Sequence, residues 1–491
     1  MRIGTSAALI HGSINYGTDP AQELSGPGDG QPAREKQLLQ PGGWPRVHSA
    51  ALYGDRLHLL NRPARSGERC RIAEYHPSFV VSLTRTTLDD LDASVPLLER
   101  EEAFAQFERL PMPSPADEAW RYVEADVDLA SLSLPLEPGA ELGPDPFIQA
   151  VDPSATGRLI DGFSTHADGP YVRSGVELLG LIPSSHDKFA AAHRAFTTGG
   201  VVIEIPRRKN TTAPIVIDVQ AVTNGLITFP HVSIKLGVDS EAEVILFYRG
   251  SDEIEGAVVP QIEIDLEDNA RLRLMAVQEL PIGVSAVIQQ RARLGRDSTF
   301  RFGEVGLGAR LGRLDLAIDL DGQSSSAEVV GLFFGHKDQV LDYRMLLNHR
   351  GRKTSSEVLL KGAVEDAAQS IFSGLVRIEK QAVGAHAFET NRNLVLSPDA
   401  KAHSVPNLEI LCNDVMCGHG SSVGPLEEEH LYYLQSRGLT RPRAERLLVR
   451  GFFRQVIDRL PIRGVEAPLS DILDRRFVQA QRDMRHAEAG Q

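Results

Sequence analysis

Four side chains that could do chemistry fall within eight residues near the end of the chain: Cys412, Asp414, Cys417 and His419. Residues two apart on an extended strand project from the same face, so Cys417 and His419 would hold a thiolate and an imidazole within reach of one metal ion or cluster edge. Two such ligands do not close a four-coordinate site. Either other residues join them, or a partner chain supplies the rest, or the pair is a buried thiol beside a hydrogen-bonded histidine.

The sequence lacks the standard motifs of several enzyme classes, and we expect no catalytic activity. It has no GxxxxGK[ST] phosphate loop, and the nearest fragment, GRKTSS from Gly351, lacks the first glycine, so we expect that this chain binds no ATP. The glycines between Gly306 and Gly312 run into the alternating segment LDLAIDL rather than a helix, which argues against a dinucleotide site. The absence of HExxH, GxSxG and paired CxxC motifs disfavours metalloprotease, hydrolase and zinc-finger functions.

Composition limits the compartment and the partners. The chain has 491 residues, three cysteines including Cys70, and a formal net charge of -14. So few cysteines fit a reducing compartment, and the negative charge argues against nucleic-acid binding. No apolar run long enough for a membrane span and no secretion signal occur, so we expect a cytoplasmic protein without membrane contact.

Changes in composition and in the spacing of apolar residues along the chain predict four regions. Residues 1–70 are rich in Gly, Pro and polar residues and are predicted to be a disordered extension. Residues 71–199 carry helical apolar spacing and are predicted to be an α-rich N-terminal region. Residues 200–424 show strand-like alternation and form the predicted β core, and residues 425–491 form a predicted C-terminal helical domain.

The turns of the β core repeat at a regular distance. Acidic residues mark them, and Asp239, Asp268 and Asp297 lie 29 residues apart. A period between about 20 and 50 residues with two or three short strands per repeat is typical of a solenoid, here a parallel β-helix. An antiparallel β-sandwich with coincidental turns is the alternative fold.

Later turns are spaced less regularly. The interval from Asp321 to Asp366 is 45 residues, and the next interval, to Asp399, is 33 residues. The longer interval predicts an insertion around residues 339–353. The end coils of a solenoid expose unpaired strands, so we expect the C-terminal helices to cover one end of the stack.

Three helices are predicted in the C-terminal domain. The first ends at Arg437 and Gly438, where glycine can adopt the left-handed cap. The second starts near Thr440, and Ser470 is a candidate cap for the third. The second helix has a broad apolar stripe that is either a core face or a partner groove, formed by Leu447, Leu448, Phe452, Phe453, Val456 and Ile457.

The run NLEILCNDVMCGHGSSVGPLEEEHLYYLQSRGL, from Asn407 to Leu439, resembles the C-terminal signature of the SufB/SufD family. Further similarity lies in NRNLVLSPDAKA, SSEVLLKGAV and DKFAAAHRAF, and the resemblance covers roughly residues 104–460. The D-x-x-C-x-H-G form is similar to that of SufD. The sister subunit SufB typically carries a cysteine at the position of Ile410 in this chain.

The resemblance implies a right-handed parallel β-helix flanked by α-helical N- and C-terminal regions. It also implies a scaffold subunit of a SufBCD complex that assembles iron–sulfur clusters, with a SufB-like subunit bound through the β-helices and a SufC-like ATPase bound by the terminal helices. His419 matches the functional histidine of the family and is the candidate ligand of a transient cluster at a subunit interface, with Cys417 as a second candidate. In the C-terminal helices, the residues predicted to bind a partner are Tyr432, Tyr433, Arg437, Phe452 and Phe453.

Two alternative functions remain open at the level of sequence. The chain could be a SufB-like subunit that nucleates a cluster by itself. It could also be a β-helix polysaccharide lyase or hydrolase, but such an enzyme would need a carboxylate cluster along a groove and usually a secretion signal. Neither feature is apparent in the sequence.

Overall fold

The computed structural model describes residues 80–91, 95–125 and 127–489. The predicted disordered extension and Cys70 lie outside the described residues. Two short 3-10 helices, Arg85–Asp90 and Glu118–Trp120, accompany the α-helices. The α-helices are α1 Leu97–Arg109, α2 Pro146–Val151, α3 Lys188–Phe196, α4 Glu428–Ser436, α5 Arg441–Ile457 and α6 Glu466–Ala489.

Strands dominate the chain from Ala155 to Gly424, as the alternation and β-branched residues of this segment predict. The first strands are β1 Val80–Val81, β2 Leu134–Pro135, β3 Ala155–Ile160, β4 Phe163–Asp168, β5 Val172–Ser174, β6 Gly200–Ile205, β7 Ile215–Ala221, β8 Leu226–Thr228, β9 His231–Leu236, β10 Glu241–Gly250, β11 Gly256–Val258 and β12 Gln261–Leu266. The later strands are β13 Arg271–Gln278, β14 Val284–Leu294, β15 Thr299–Gly306, β16 Leu311–Leu320, β17 Ser326–Gly335, β18 Val340–His349, β19 Ser355–Val364, β20 Gln369–Ile378, β21 His386–Val395, β22 Lys401–Ile410 and β23 Met416–Gly424.

Successive strands alternate between two sheets. The first sheet has the order β23-β21-β19-β17-β15-β13-β10-β7-β3-β4, and the main path of the second is β22-β20-β18-β16-β14-β12-β9-β6-β5. From β3 and β6 onward, all neighbours in these two paths pair in parallel. The chain is therefore a parallel β-helix of about eight turns, and the antiparallel sandwich is excluded.

The coils have a nearly constant length. Strands of the first sheet from β10 to β23 start 27 to 31 residues apart. The predicted insertion at residues 339–353 is wrong, because this segment holds β18, which pairs without a break with β16 and β20. Asp321 and Asp366 belong to turns on opposite sides of the coil, so the interval between them spans about one and a half coils.

The space between the two sheets is the main core. Alternate residues of each strand face inward, and paired strands stack these residues in columns along the helix axis. Burying each such side chain contributes about 1.5 to 3 kcal/mol. One column of the first sheet includes Val244, Leu274, Phe302, Val329 and Val358.

Helices cover the outer faces of both sheets. Helix α5 contacts β17 and β19, and residues of α5 and α6 form one apolar cluster with outward residues of the first sheet such as Phe247 and Leu332. The N-terminal helices α1 and α3 share a cluster with Val287 and Ile371 of the second sheet. The predicted helical cover for the end of the stack is therefore wrong, because the helices pack on its sides.

The N-terminal end of the stack begins earlier than residue 200. Strand β3 already pairs in parallel with β7, and it lies within the region predicted to be α-rich. Strands β4 and β5 then form the first edges of the two sheets in antiparallel pairing. Each helix in the described part of the chain is too short or too polar to span a bilayer.

The helix ends follow the sequence with one exception. Gly438 has a φ of 91° after α4 and Thr440 precedes α5, as predicted. Asp187 caps α3 by accepting a hydrogen bond from the backbone N–H of Ala190. Ser470 is not a cap, because α6 already starts at Glu466.

Candidate functional site

The last coil of the stack consists of β22 and β23, each at the edge of its sheet. Within the part of the chain that the structure describes, no strand pairs with the outer edge of either. Both strands carry N–H and C=O groups that are free to pair with a further strand. The candidate residues of the sequence analysis therefore lie at an open end of the β-helix.

Cys417 and His419 face the interior of this coil. Cys417 is in register with Ala387, which is completely buried, and packs partly against the interior core. His419 lies two residues further along the strand, on the same face, and is exposed at the open end. The structure thus brings these two side chains to one face of one strand, as their spacing predicts.

Cys412 and Asp414 do not join them. Cys412 is 8% exposed and belongs to the interior apolar cluster. Asp414 lies in the turn before β23, where its carbonyl oxygen accepts a hydrogen bond from Gly384. Burial raises the pKa of the Cys417 thiol, which lowers the fraction of nucleophilic thiolate at neutral pH. His419 is consequently the more available ligand.

A group of polar side chains lies in the interior next to the terminal strand β23. It is formed by the inward residues of β21, namely Glu389, Asn391 and Asn393, all of them buried. Asn393 donates a hydrogen bond of 2.7 Å to Asn391, whereas no protein group bonds either carboxylate oxygen of Glu389. Burial raises the pKa of Glu389 to about 8. Register places Glu389 directly beside His419.

Sequence reasoning missed Glu389, although a signal was available. The preceding members of its column are apolar, so an acid at this inward position interrupts the pattern. Recognising the interruption requires the register of the coils, which the insertion predicted at residues 339–353 places incorrectly.

Exposed apolar residues surround the open end. Large apolar side chains are uncommon on a free surface in such density and mark interaction sites. The exposed members of this apolar rim are Phe388, Ile410, Leu411, Met416 and Val423. The rim and the free strand edges together form a surface suited to another protein chain.

The predicted partner residues on the C-terminal helices fall into two groups. Tyr432 and Tyr433 on α4 are 74% and 55% exposed, and the guanidinium of Arg437 lies 5.2 Å from the centre of the Tyr433 ring. Phe452 is partly buried against the sheet. Phe453 is completely buried in the cluster between α5 and the first sheet, so it belongs to the core of this chain, which corrects its prediction as a partner contact.

A separate cavity of about 320 Å³ lies between the first sheet and helices α4 and α5, and neither Cys417 nor His419 lines it. Glu365, Leu426 and Arg446 are among its residues. Burial raises the pKa of Glu365 to about 7. The cavity is lined by the surfaces that hold the helices on the sheet, and the candidate ligands do not open into it.

The described residues contain no group of three or more His, Cys, Asp or Glu side chains arranged to hold a metal ion. The open end offers an imidazole, a thiol and, beneath them, one unpaired carboxylate. Such a set fits a metal or cluster only when another chain supplies further ligands. The fold and these residues define the protein as a parallel β-helix whose candidate ligands, Cys417 and His419, lie on an exposed strand edge.

Comparison with known proteins shows the family of this chain. The family model for the SUF system FeS cluster assembly, SufBD core domain, matches residues 219–452. An iron–sulfur cluster assembly SufBD family protein of Mycobacterium tuberculosis is 33% identical over 294 residues, which cover 58% of this chain and 73% of the relative. The chain therefore belongs to the SufB/SufD family of iron–sulfur cluster assembly proteins.

Other relatives carry more specific names. The iron–sulfur cluster assembly protein SufD of Bacillus subtilis is 31% identical over 293 residues, which cover 59% of this chain and 67% of the relative. The chloroplastic protein ABCI7 of Arabidopsis thaliana is 26% identical over 427 residues, which cover 79% of this chain and 88% of the relative. These similarities support a role in iron–sulfur cluster assembly.

Proposed function

We propose that this chain is a SufD-like, non-catalytic scaffold subunit that pairs with a SufB-like subunit and a SufC-like ATPase. One observation carries the proposal: an exposed histidine lies on an unpaired edge strand, His419 of β23, inside a rim of exposed apolar residues. A monomer gains nothing from such an edge, whereas a second β-helix would pair its strands and cover its rim. The similarity to proteins named SufD favours this subunit over its sister.

The transient iron–sulfur cluster is assembled at the interface between the two β-helices. His419 supplies an imidazole from this chain, Cys417 is a weaker second ligand, and the SufB-like subunit supplies the remaining ligands. The cluster is the cargo of this site, which releases it after assembly. Assembly takes place in the cytoplasm.

The ATPase occupies a different surface. Tyr432, Tyr433 and Arg437 form an exposed aromatic and cationic patch on α4, and residues of these types are enriched where proteins bind one another. ATP is bound by the SufC-like subunit, because the sequence of this chain has no phosphate loop. Movement of that subunit is transmitted to the cluster interface through α4 and the adjoining β-helix.

Substitution of His419 tests the ligand role. In the complex, His419→Ala is expected to leave the subunits associated and to lower the yield of cluster by about tenfold or more, because a ligand is lost. The measurement is cluster absorbance per complex after anaerobic reconstitution with iron, a sulfur donor and ATP. The matched control is His386→Ala, which removes an exposed histidine of the adjacent strand. Wild-type cluster yield from His419→Ala would refute the ligand role.

Co-purification tests the class of protein. Expression of the tagged chain in its own cells is expected to recover a small ATPase and a second β-helix protein. Persistent recovery of the chain as a monomer would contradict the scaffold role. A stable cluster absorption formed by the chain without any partner would instead favour a SufB-like subunit, and robust saccharide cleavage would favour a β-helix enzyme.

A further inference from the structure

The carboxylate of Glu389 lies in the interior of the β-helix without a hydrogen-bond partner. Its residue is 1% exposed, and neither carboxylate oxygen is bonded by a protein group. Burying a carboxyl group without a hydrogen bond or counter-charge costs several kcal/mol, so buried acids are normally paired or bind metal ions. The folding of this chain alone therefore does not explain why the Glu389 carboxyl group is buried.

The position of Glu389 in its column is informative. Five preceding coils place Val or Leu or Phe at this inward position, and the column then continues with Glu389 and ends with His419. Parallel strands are about 4.8 Å apart, so the two side chains leave the sheet on the same face one strand apart. The apolar interior thus changes to an acid and an imidazole at the coils next to the open end.

The opposite sheet makes room for the carboxylate. Gly374 of β20 faces Glu389 across the interior, and a Cβ added at Gly374 would collide with the carboxylate group. Neighbouring inward positions of β20 carry the large side chains Phe372 and Val376. A small residue at this point lets an acid fit between inward positions of the strand that carry apolar side chains.

We propose that Glu389 is a metal-binding residue, which together with His419 holds a divalent transition-metal cation, ferrous iron in the assembly reaction, at the open end of the β-helix. This inference rests on the proposed function and adds a ligand from this chain to the same site. Carboxylate oxygen and imidazole nitrogen are both good ligands for Fe²⁺. A bound cation also supplies the counter-charge that the buried carboxylate lacks.

Glu389 and His419 together allow iron to bind at the open end before the cluster is assembled. Two ligands from this chain leave several coordination positions for water and for ligands of the second β-helix. Iron can consequently be held by this chain before sulfide arrives, and the second subunit completes the coordination. Glu389 then serves iron capture, whereas His419 serves both capture and the assembled cluster.

Metal binding by the full chain tests the inference without any partner or cluster chemistry. Co²⁺ is the probe, titrated under anaerobic conditions and followed by its d–d absorption and by nitrogen hyperfine coupling from imidazole. The wild-type chain is expected to bind one Co²⁺ with nitrogen coupling. Glu389→Gln and His419→Ala are each expected to weaken binding by at least about tenfold, and His419→Ala is expected to lose the coupling.

Two further variants sharpen the test. Gly374→Ala retains both ligands but forces the Glu389 carboxylate to move, so it is expected to weaken Co²⁺ binding as well. Glu409→Gln is the matched control, since this acid lies on the terminal coil beside Arg377 at 3.4 Å and outside the interior column. Its Co²⁺ affinity should equal that of the wild type. Circular dichroism and thermal unfolding of each variant establish that the chain remains folded.

The outcomes separate the inference from the proposed function. Failure of the wild-type chain to bind Co²⁺, wild-type affinity in Glu389→Gln, or equal weakening in Glu409→Gln would overturn the role of Glu389. A normal cluster yield of His419→Ala in the complex would overturn the proposed cluster ligand, whatever the Co²⁺ titration shows. Co²⁺ bound through both residues together with that normal yield would support a metal site that does not serve assembly.

Discussion

Two acids face the interior of the β-helix at different depths. Glu304 on β15 is 3% exposed in the middle of the stack, and Glu389 lies next to the open end. Burial raises the pKa of each carboxyl group to about 8. For Glu304, which is distant along the stack from the terminal coil, the consequence is a change in folding stability with pH.

We expect Glu304→Gln to make the protein more stable at alkaline pH. The folded pKa of about 8 lies above the ordinary value of 4.5, so folding takes up a proton between these pH values and stability falls as pH rises through that window. A glutamine does not titrate, and the advantage of the variant should grow by up to about 1.4 kcal/mol per pH unit. Urea unfolding of the variant and the wild type at pH 5, 6, 7 and 8 measures the difference between their free energies of unfolding.

Glu429→Gln is the control for this series, because Glu429 is an exposed acid on α4. Its unfolding free energy should follow that of the wild type across the pH range. A difference between Glu304→Gln and the wild type that stays constant with pH would show that Glu304 is ionised in the folded protein.

At the scale of residues, the sequence predicts which side chains share a face of a strand, but not which side chains are buried. The two-residue spacing of Cys417 and His419 was sufficient to place both on one face, because strand geometry requires it. Burial was not predictable in the same way. Phe452 and Phe453 have the same residue type and adjacent positions, yet the turn of the helix buries the second completely and the first only in part.

Helix α5 shows how one element holds the scaffold together. Its buried side chains, including Val449, Phe453 and Val456, lie against the outer face of the first sheet. Leu447 of the same helix is 50% exposed. The stripe predicted from the sequence therefore combined residues of the core face with a residue of the solvent face.

We expect Phe453→Ala to lower the free energy of unfolding by about 3 to 5 kcal/mol, because it leaves a cavity in a packed interface. Leu447→Ala, the matched control, should change it by about 0.5 kcal/mol or less, since its side chain is half exposed. Thermal and urea unfolding of both variants give the comparison. Equal effects of the two substitutions would mean that α5 does not pack on the sheet through Phe453.

At the scale of elements, helix starts and ends were predicted better than strand positions. Glycine and proline mark the ends of α4 and the start of α5 through backbone geometry that any helix shares. The turns of the coils were ambiguous, because the two sides of each coil use similar residues, such as Asp297 and Asp366, both with positive φ. Only the pairing of strands distinguishes the two rows of turns.

At the scale of the whole molecule, the apolar rim of the terminal coil and the aromatic patch of α4 are exposed on different elements of the described chain. We expect Ile410→Lys with Met416→Lys to reduce binding of the SufB-like subunit, because two charges would have to be buried in an apolar contact. Tyr432→Ala with Tyr433→Ala should reduce binding of the SufC-like ATPase instead.

Quantitative co-purification of both partners with each double variant measures this separation. Each variant should lose about tenfold or more of one partner and retain the other. Unchanged thermal unfolding serves as the control, since all four side chains are exposed. Loss of both partners in either variant would show that the two surfaces act as one interface.

At this scale, the 29-residue repeat of the first turns favours a parallel β-helix. The sequence leaves an antiparallel sandwich open, and only the parallel pairing of the strands excludes it. The positions of the helices could not be predicted, because an apolar stripe fits an end or a side of a stack equally well. The structure places the helices on the outer faces, and the last coil is thereby left accessible.

The two ends of the stack differ in strand direction, and this difference limits how copies can assemble. At the first coil, the short strands β4 and β5 run against their neighbours, whereas β22 and β23 run with theirs. Head-to-tail addition of further chains would have to join an open end to these short reversed strands, which offer little to pair with. Association through two terminal coils closes on itself. For the described residues, we therefore expect a finite pair rather than a growing filament.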